Sequence, residues 1–191
     1  MRILIAVALF AIAFALPARA IEPTPVLSAD PQTYSADEIV NAGHTFFGSA
    51  AGGLAGAIET IFARFGEPNG YILGEEGAGA FVGGLRYGEG AFQMRGYTPS
   101  TIFWQGPSVG WDFGGTGSRV MMLAYNVPNP AVMLQRFTGV DGSAYLVGGM
   151  SVTVMAADET VLIPVRTGLG ARLGVSLGYL KFTSQPTWNP F

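Results

Sequence analysis

From Asn69 to Thr183 the chain is a succession of short segments with apolar residues at every second position, divided by turn signals and carrying glycines inside the segments themselves. Side chains along a strand point alternately to two faces, so this pattern builds sheet. Candidate strands are 70–76, 78–88, 90–97, 101–106, 108–114, 117–127, 143–157, 160–167 and 172–183, with the clearest alternation in VTVM (152–155) and VSLGYLK (175–181). Asn69-Gly70, Gly106-Pro107, Gly114-Gly115, Asp141-Gly142 and Gly168 supply turns between many of them. Few helical interruptions occur, which points to a meander rather than βαβ units. Many of the 28 glycines fall within strands, so the sheet must bend sharply or admit close neighbours. Closing such a sheet on itself removes its exposed edges. The expected fold is therefore mainly β with α: a small glycine-rich, mostly antiparallel β-barrel with one long N-terminal helix and a second short helix packed on it.

The long helix opens at Ser35-Ala36-Asp37-Glu38, a capping box in which the Ser35 hydroxyl accepts from the Glu38 amide and the Glu38 carboxylate reaches back to the Ser35 amide. It is expected to run to Phe65, with Gly66 as its stop and Pro68 beyond. Within it Gly48, Gly52 and Gly56 are spaced by four, and each costs roughly 1 kcal/mol in helix propensity relative to alanine. Residues four apart share a face, so these glycines are expected to form a groove for close packing of helix on sheet, or for a partner helix. The short helix is expected at 130–137, capped by Asn129 with Pro130 in its first turn.

The first twenty residues, MRILIAVALFAIAFALPARA, have the plan of an export signal: Arg2, an apolar stretch from Ile3 to Leu16, then Ala18-Arg19-Ala20 as a small-x-small cleavage site. Cleavage is expected after Ala20, which makes the mature chain an exported one. Residues 21–34 carry three prolines and read as a linker, and 35–191 as one barrel domain. Loss of Arg2 and Arg19 leaves eight basic side chains against thirteen acidic ones, a formal net charge of −5. That balance excludes a nucleic-acid interface, which needs a positive face. No second apolar run long enough for a transmembrane helix follows the signal, and with no cysteine the fold is not stapled by disulfides.

The stretch GEEGAGAFVGGLRYGEG (74–90) raises the question of a phosphate-binding loop. No glycine in the chain is followed by lysine, and the Gly77-x-Gly79 spacing leads to Val82 in a strand rather than to a helix. These are sheet glycines. His44 is the single histidine and has Gly48 at i+4, so neither a zinc site nor a histidine-based acid/base pair is built around it. Glu75 and Glu76 are adjacent, and neighbours on a strand face opposite ways. A glycosidase-like pair from Glu75 and Asp112 is the remaining hydrolase reading. No catalytic residue, metal ligand or cofactor is assigned.

The strand arginines Arg86, Arg119, Arg166 and Arg172 are candidates for binding anionic headgroups or sugar phosphates. The alternative is ion pairing with Glu75, Glu89 or Asp112 on neighbouring strands. Trp104 and Trp111, with Phe103 and Phe113, flank Gly106-Pro107-Ser108. Exposed, they would make a carbohydrate or protein contact; buried, they are core.

Taken together, YSADEIVNAGHTFFG, EPNGYILGEEGAGAFVGGLRYGEG, WQGPSVGWDFGG, GVDGSAYLVGG, GARLGVSLGYLKFT and the ending PTWNPF resemble the EipA family of envelope-integrity proteins from Gram-negative bacteria, in order from about Tyr34 to Phe191. The resemblance implies a periplasmic small β-barrel that supports envelope integrity and resistance to envelope stress. It carries over no catalytic residue, and the family's barrel is similar to lipid-binding SYLF modules. The expected function is non-catalytic binding of an envelope lipid, glycan or protein. An outer-membrane barrel and a hydrolase of envelope polymers are the alternatives. Against the former, SQPTWNPF carries two prolines where a closing strand needs amides.

Overall fold

The computed structural model describes residues 32–79, 85–107, 118–140, 143–167 and 178–189. Its elements are helices α1 (Ala36–Phe47) and α2 (Leu54–Phe65) and ten strands. The strands are β1 (Gly70–Gly79), β2 (Leu85–Met94), β3 (Ser100–Pro107), β4 (Ser118–Tyr125), β5 (Arg136–Gly139), β6 (Tyr145–Val147), β7 (Met150–Val152), β8 (Met155–Ala157), β9 (Thr160–Arg166) and β10 (Tyr179–Thr183). All pairings are antiparallel. The order β4-β1-β2-β3-β10-β5-β8-β9 closes through β9 on β4, and the β6–β7 hairpin adds to the edge of β9 beyond β8. The fold is thus the small antiparallel barrel with helices packed on it.

The connectivity is less regular than a meander. The chain's last strand, β10, inserts between β3 and β5. The 143–157 segment is three short strands, because β9 pairs with β8 over its first half and β7 over its second. Pro164 lies at that switch, where a residue with no N–H to donate does least harm to the ladder. Residues 85–94, expected as parts of two strands, form a single strand, β2. The short helix narrows to a 3₁₀ turn, Pro130–Met133, with Asn129 Oδ1 accepting from the Ala131 amide. It ends there because Phe137, fully buried, is drawn into β5.

Two apolar layers follow from strand alternation. Ile72, Phe92, Trp104, Met122, Phe137, Met155, Leu162 and Phe182 come from all eight barrel strands and fill the interior. Met121, Leu123, Ile163 and Val165, on the opposite face of β4 and β9, are covered by Ile39, Phe47, Leu54, Ile58 and Ile61 of the helices. Each such fully buried aliphatic side chain contributes about 1.5–3 kcal/mol.

The capping box at Ser35 is present, with the Ser35 amide donating to Glu38 Oε2 at 2.9 Å. Arg95, just past β2, pairs with Glu38, donates from Nε to the Thr33 carbonyl at 2.6 Å and lies 4.5 Å from the Tyr34 ring centroid. These contacts tie the start of α1 to the sheet.

The single long helix is corrected by the structure. It breaks after Phe47 into a 3₁₀ turn, Gly48–Ala51, and resumes at Leu54. Gly48 (φ +58°) caps α1, and Gly53 (φ +84°) is left-handed at the start of α2. The expected groove of Gly48, Gly52 and Gly56 is not there. A Cβ built on any of the three meets nothing within 4 Å. The close approach belongs to Gly53, whose added Cβ would lie 2.0 Å from the Gly148 carbonyl oxygen in the β6–β7 turn. Spacing by four presumes a continuous helix, and the bend moves these glycines off a common face. Gly56, exposed and within α2, is expected to gain up to about 1 kcal/mol on replacement by alanine. Urea unfolding of Gly56→Ala checks this, and a loss of stability would restore a packing role.

Candidate functional site

Glu75 and Glu76 separate across the sheet. Glu76 shares its face with Ile72 and enters the barrel interior, where it is 6 % exposed. Arg166 of β9 donates from Nε to Glu76 Oε1 at 2.6 Å. Arg86 of β2 places Nε 3.7 Å from the same oxygen, and the Trp104 indole N–H donates to Oε2 at 3.3 Å. Burial alone would raise the Glu76 carboxyl. The opposing guanidinium charges and hydrogen bonds win, and it is held below the usual carboxylate range. Two of the arginines read from the sequence as headgroup ligands are therefore committed to a buried carboxylate. Arg166 and Arg86 are 13 % and 17 % exposed.

Trp104 is fully buried against Phe182, with ring centroids 5.9 Å apart. Its position explains two of the glycines in the stretch 74–90. A Cβ on Gly88 would lie 2.2 Å from Trp104 Cε2, and one on Gly74 2.7 Å from Cη2. The indole lies where Gly88 has no side chain and beside Gly74, which the Glu89 carbonyl oxygen crowds more closely still. Gly90 faces the β1 backbone, so these glycines admit a tryptophan and a close neighbouring strand, not a phosphate. Trp104 is core rather than a surface contact.

Arg119 sits on the outer face. Its Nε is 3.6 Å from Glu75 Oε1, and its Nη1 donates to the carbonyls of Phe46 (2.9 Å) and Phe47 (3.3 Å) at the end of α1. There it supplies positive charge and donors where a helix leaves carbonyls unsatisfied. Arg172, Trp111 and Asp112 lie outside the described residues, as does the expected cleavage after Ala20. Arg86 and Arg166 meet at Glu76 inside the barrel, and Arg119 lies on the outer face. His44 is exposed on α1, and its carbonyl accepts from the Gly48 amide.

What the sequence did not reveal is a groove of about 410 Å³ on the outer face of β1, β2 and β3. Two cross-strand rows form its wall. Glu75, Glu89 and Phe103 stand opposite one another in one, and Gly77, Tyr87 and Gln105 in the next, a row that continues outside the groove to Lys181. The C-terminal segment crosses these rows. Trp188 takes a hydrogen bond on its carbonyl from the Tyr87 hydroxyl (3.2 Å) and lies 5.0 Å from the Tyr87 ring. The Asn189 carbonyl accepts from Lys181 Nζ at 3.3 Å. The segment thus touches both neighbours of Gln105 in its row, which buries Gln105 to 1 % exposure. Pro186, Thr187 and Trp188 complete the groove, and the Trp188 side chain is 83 % exposed. The volume lies within the roughly 300–1,000 Å³ of small-molecule sites.

The fold has a counterpart. The structure is similar to a crystal structure described as a beta-barrel-like, uncharacterised protein from Brucella abortus, with 57% sequence identity, a TM-score of 0.78 and coverage of 84% of this chain and 99% of that one. Among curated proteins no match was found. The family model described as Envelope integrity protein A matches residues 32–191, which includes every described element. The chain belongs to the envelope integrity protein A (EipA) family.

Proposed function

We propose that the chain is exported to the periplasm, cleaved after Ala20, and maintains the cell envelope by binding one of its components without catalysing a reaction. Membership of an envelope-integrity family across residues 32–191 carries this reading. The groove beside the C-terminal segment supports it, because it offers a binding surface. Adjacent carboxylates on opposite sides of β1 do not make a general acid/base pair: Glu76 is neutralised inside and Glu75 is engaged by Arg119 outside.

The outer-membrane alternative fits the faces of the barrel poorly. A membrane barrel presents an apolar belt outward. Here the outward positions of β2, β3, β5 and β10 include Glu89, Gln105, Arg136, Thr138 and Lys181, and β4 and β9 are covered by helices. No helix among the described residues is long and apolar enough to cross a membrane.

Deletion of the gene and complementation test the reading. Loss of the protein is expected to sensitise cells to detergent and EDTA, and the full-length chain to restore resistance. A chain lacking residues 2–20 is expected not to restore it. Resistance unaffected by deletion would overturn the envelope role, and rescue by the leaderless chain would overturn the periplasmic location.

A further inference from the structure

The groove on β1–β3 contains three features that packing does not account for. Gln105 is buried, yet its Nε2 has no hydrogen-bond acceptor. A buried donor left unmade costs about 1–3 kcal/mol, and the residue is on the groove wall. Glu75 and Glu89 stand directly opposite each other on β1 and β2. Like charges in that relation destabilise a sheet, and only Glu75 has an ion pair among the described residues. Finally, Trp188 is 83 % exposed beside Tyr87 and Phe103, so an aromatic wall faces open solvent. Each of these is unfavourable in the free protein and would be relieved by one kind of occupant.

We propose that this groove binds a neutral saccharide segment of an envelope glycan. The inference rests on the envelope-binding reading and names the ligand class for it. The charges and the amide select the class. The charged side chains of the lining itself are carboxylates. Arg119 is engaged by Glu75 and main-chain carbonyls, and Lys181 by the Asn189 carbonyl. The groove therefore takes donors from the ligand and disfavours phosphate, sulfate and uronate groups. The Gln105 Nε2 requires an acceptor. A hydroxyl is both donor and acceptor, whereas an ammonium group has no lone pair to offer and an acyl chain has neither. A sugar ring presents several hydroxyls at its edge and C–H bonds on its faces. Those faces pack against Tyr87, Phe103 and Trp188, and the hydroxyls reach Glu75, Glu89 and Gln105. Gly77 keeps the space beside Tyr87 free, since a Cβ built there meets nothing within 4 Å. An acidic glycan or an anionic lipid headgroup meets the two carboxylates instead.

The test uses the protein purified from cells that produce the full-length sequence. It is titrated with maltotriose, chitotetraose and, as the acidic control, trigalacturonate, and followed by tryptophan fluorescence and saturation-transfer NMR. At least one neutral oligosaccharide is expected to bind, and trigalacturonate to bind at least tenfold more weakly than maltotriose or chitotetraose. Trp188→Ala and Glu89→Gln are each expected to weaken the neutral ligand at least fivefold without lowering the unfolding midpoint, because both side chains are exposed and the second change also removes a like-charge pair. No binding of either neutral oligomer up to about 10 mM, equal or tighter binding of trigalacturonate, or wild-type affinity in either variant would overturn the proposal. If no sugar binds but deletion still weakens the envelope, the saccharide assignment falls and the envelope role stands. If sugar binds and deletion has no envelope effect, the reverse holds.

Discussion

Replacing Glu76 by alanine is expected to lower stability by about 3–5 kcal/mol, because it leaves Arg166 in the barrel interior without the carboxylate that faces it. For a domain of this size that corresponds to a fall in Tm of roughly 6–20 °C. Arg86 loses its contact with the carboxylate at the same time. The pH dependence identifies the cause. The Glu76 carboxyl is held below the ordinary glutamate value of about 4.5 in the folded state, so its contribution is fully present above that pH. It is lost as pH falls from there through the depressed folded value. The gap in unfolding free energy between wild type and Glu76→Ala should therefore narrow on acidification below about pH 4.5. Chemical unfolding at a series of pH values measures it. A loss under 1 kcal/mol at neutral pH would mean that the arginines find solvent when the carboxylate is gone.

Trp104→Ala is expected to cost about 3–5 kcal/mol as well, through lost transfer energy and the cavity left at the centre of the barrel. The midpoint in urea should fall while the slope holds if the native fold persists. A second substitution shows why the glycines are there. Gly88→Ala drives a methyl group to within 2.2 Å of the indole and is expected to cost about 1–3 kcal/mol in the wild type. In the Trp104→Ala background the same change meets a void, and most of that cost should vanish. Additive effects in this cycle would show that Gly88 is constrained by its backbone rather than by Trp104.

The two substitutions probe parts of the molecule that the sequence revealed to different degrees. Alternation along β1 states that Glu75 and Glu76 lie on opposite faces. It does not state which face closes into the interior. That choice rests on Arg166, ninety positions away, meeting Glu76 across the barrel. The glycines of 74–90 read as sheet glycines from their failure to match a phosphate loop, but the tryptophan that Gly74 and Gly88 make room for sits on β3. Gly48, Gly52 and Gly56 misled for a related reason. Their spacing has meaning only if the helix continues, and a break is decided by what α1 and α2 cover, here the outer faces of β4 and β9.

The groove was the least legible part. Tyr87, Gln105 and Lys181 come into one row by register, and Trp188 reaches them from a segment whose prolines marked it only as a poor strand. A signal for it existed in the sequence, a tryptophan near the C-terminus flanked by prolines, but nothing local tied that residue to β2.

The residues alone determined the class of fold and the start of α1, because strand periodicity and capping are local: they follow from the geometry of a few consecutive residues. Tertiary structure alone decided where the long helix breaks, which of two adjacent glutamates is buried, and that an exposed tryptophan and a buried amide share one groove. Those outcomes depend on contacts between segments far apart in the chain, and closure of the barrel brings them together in one step.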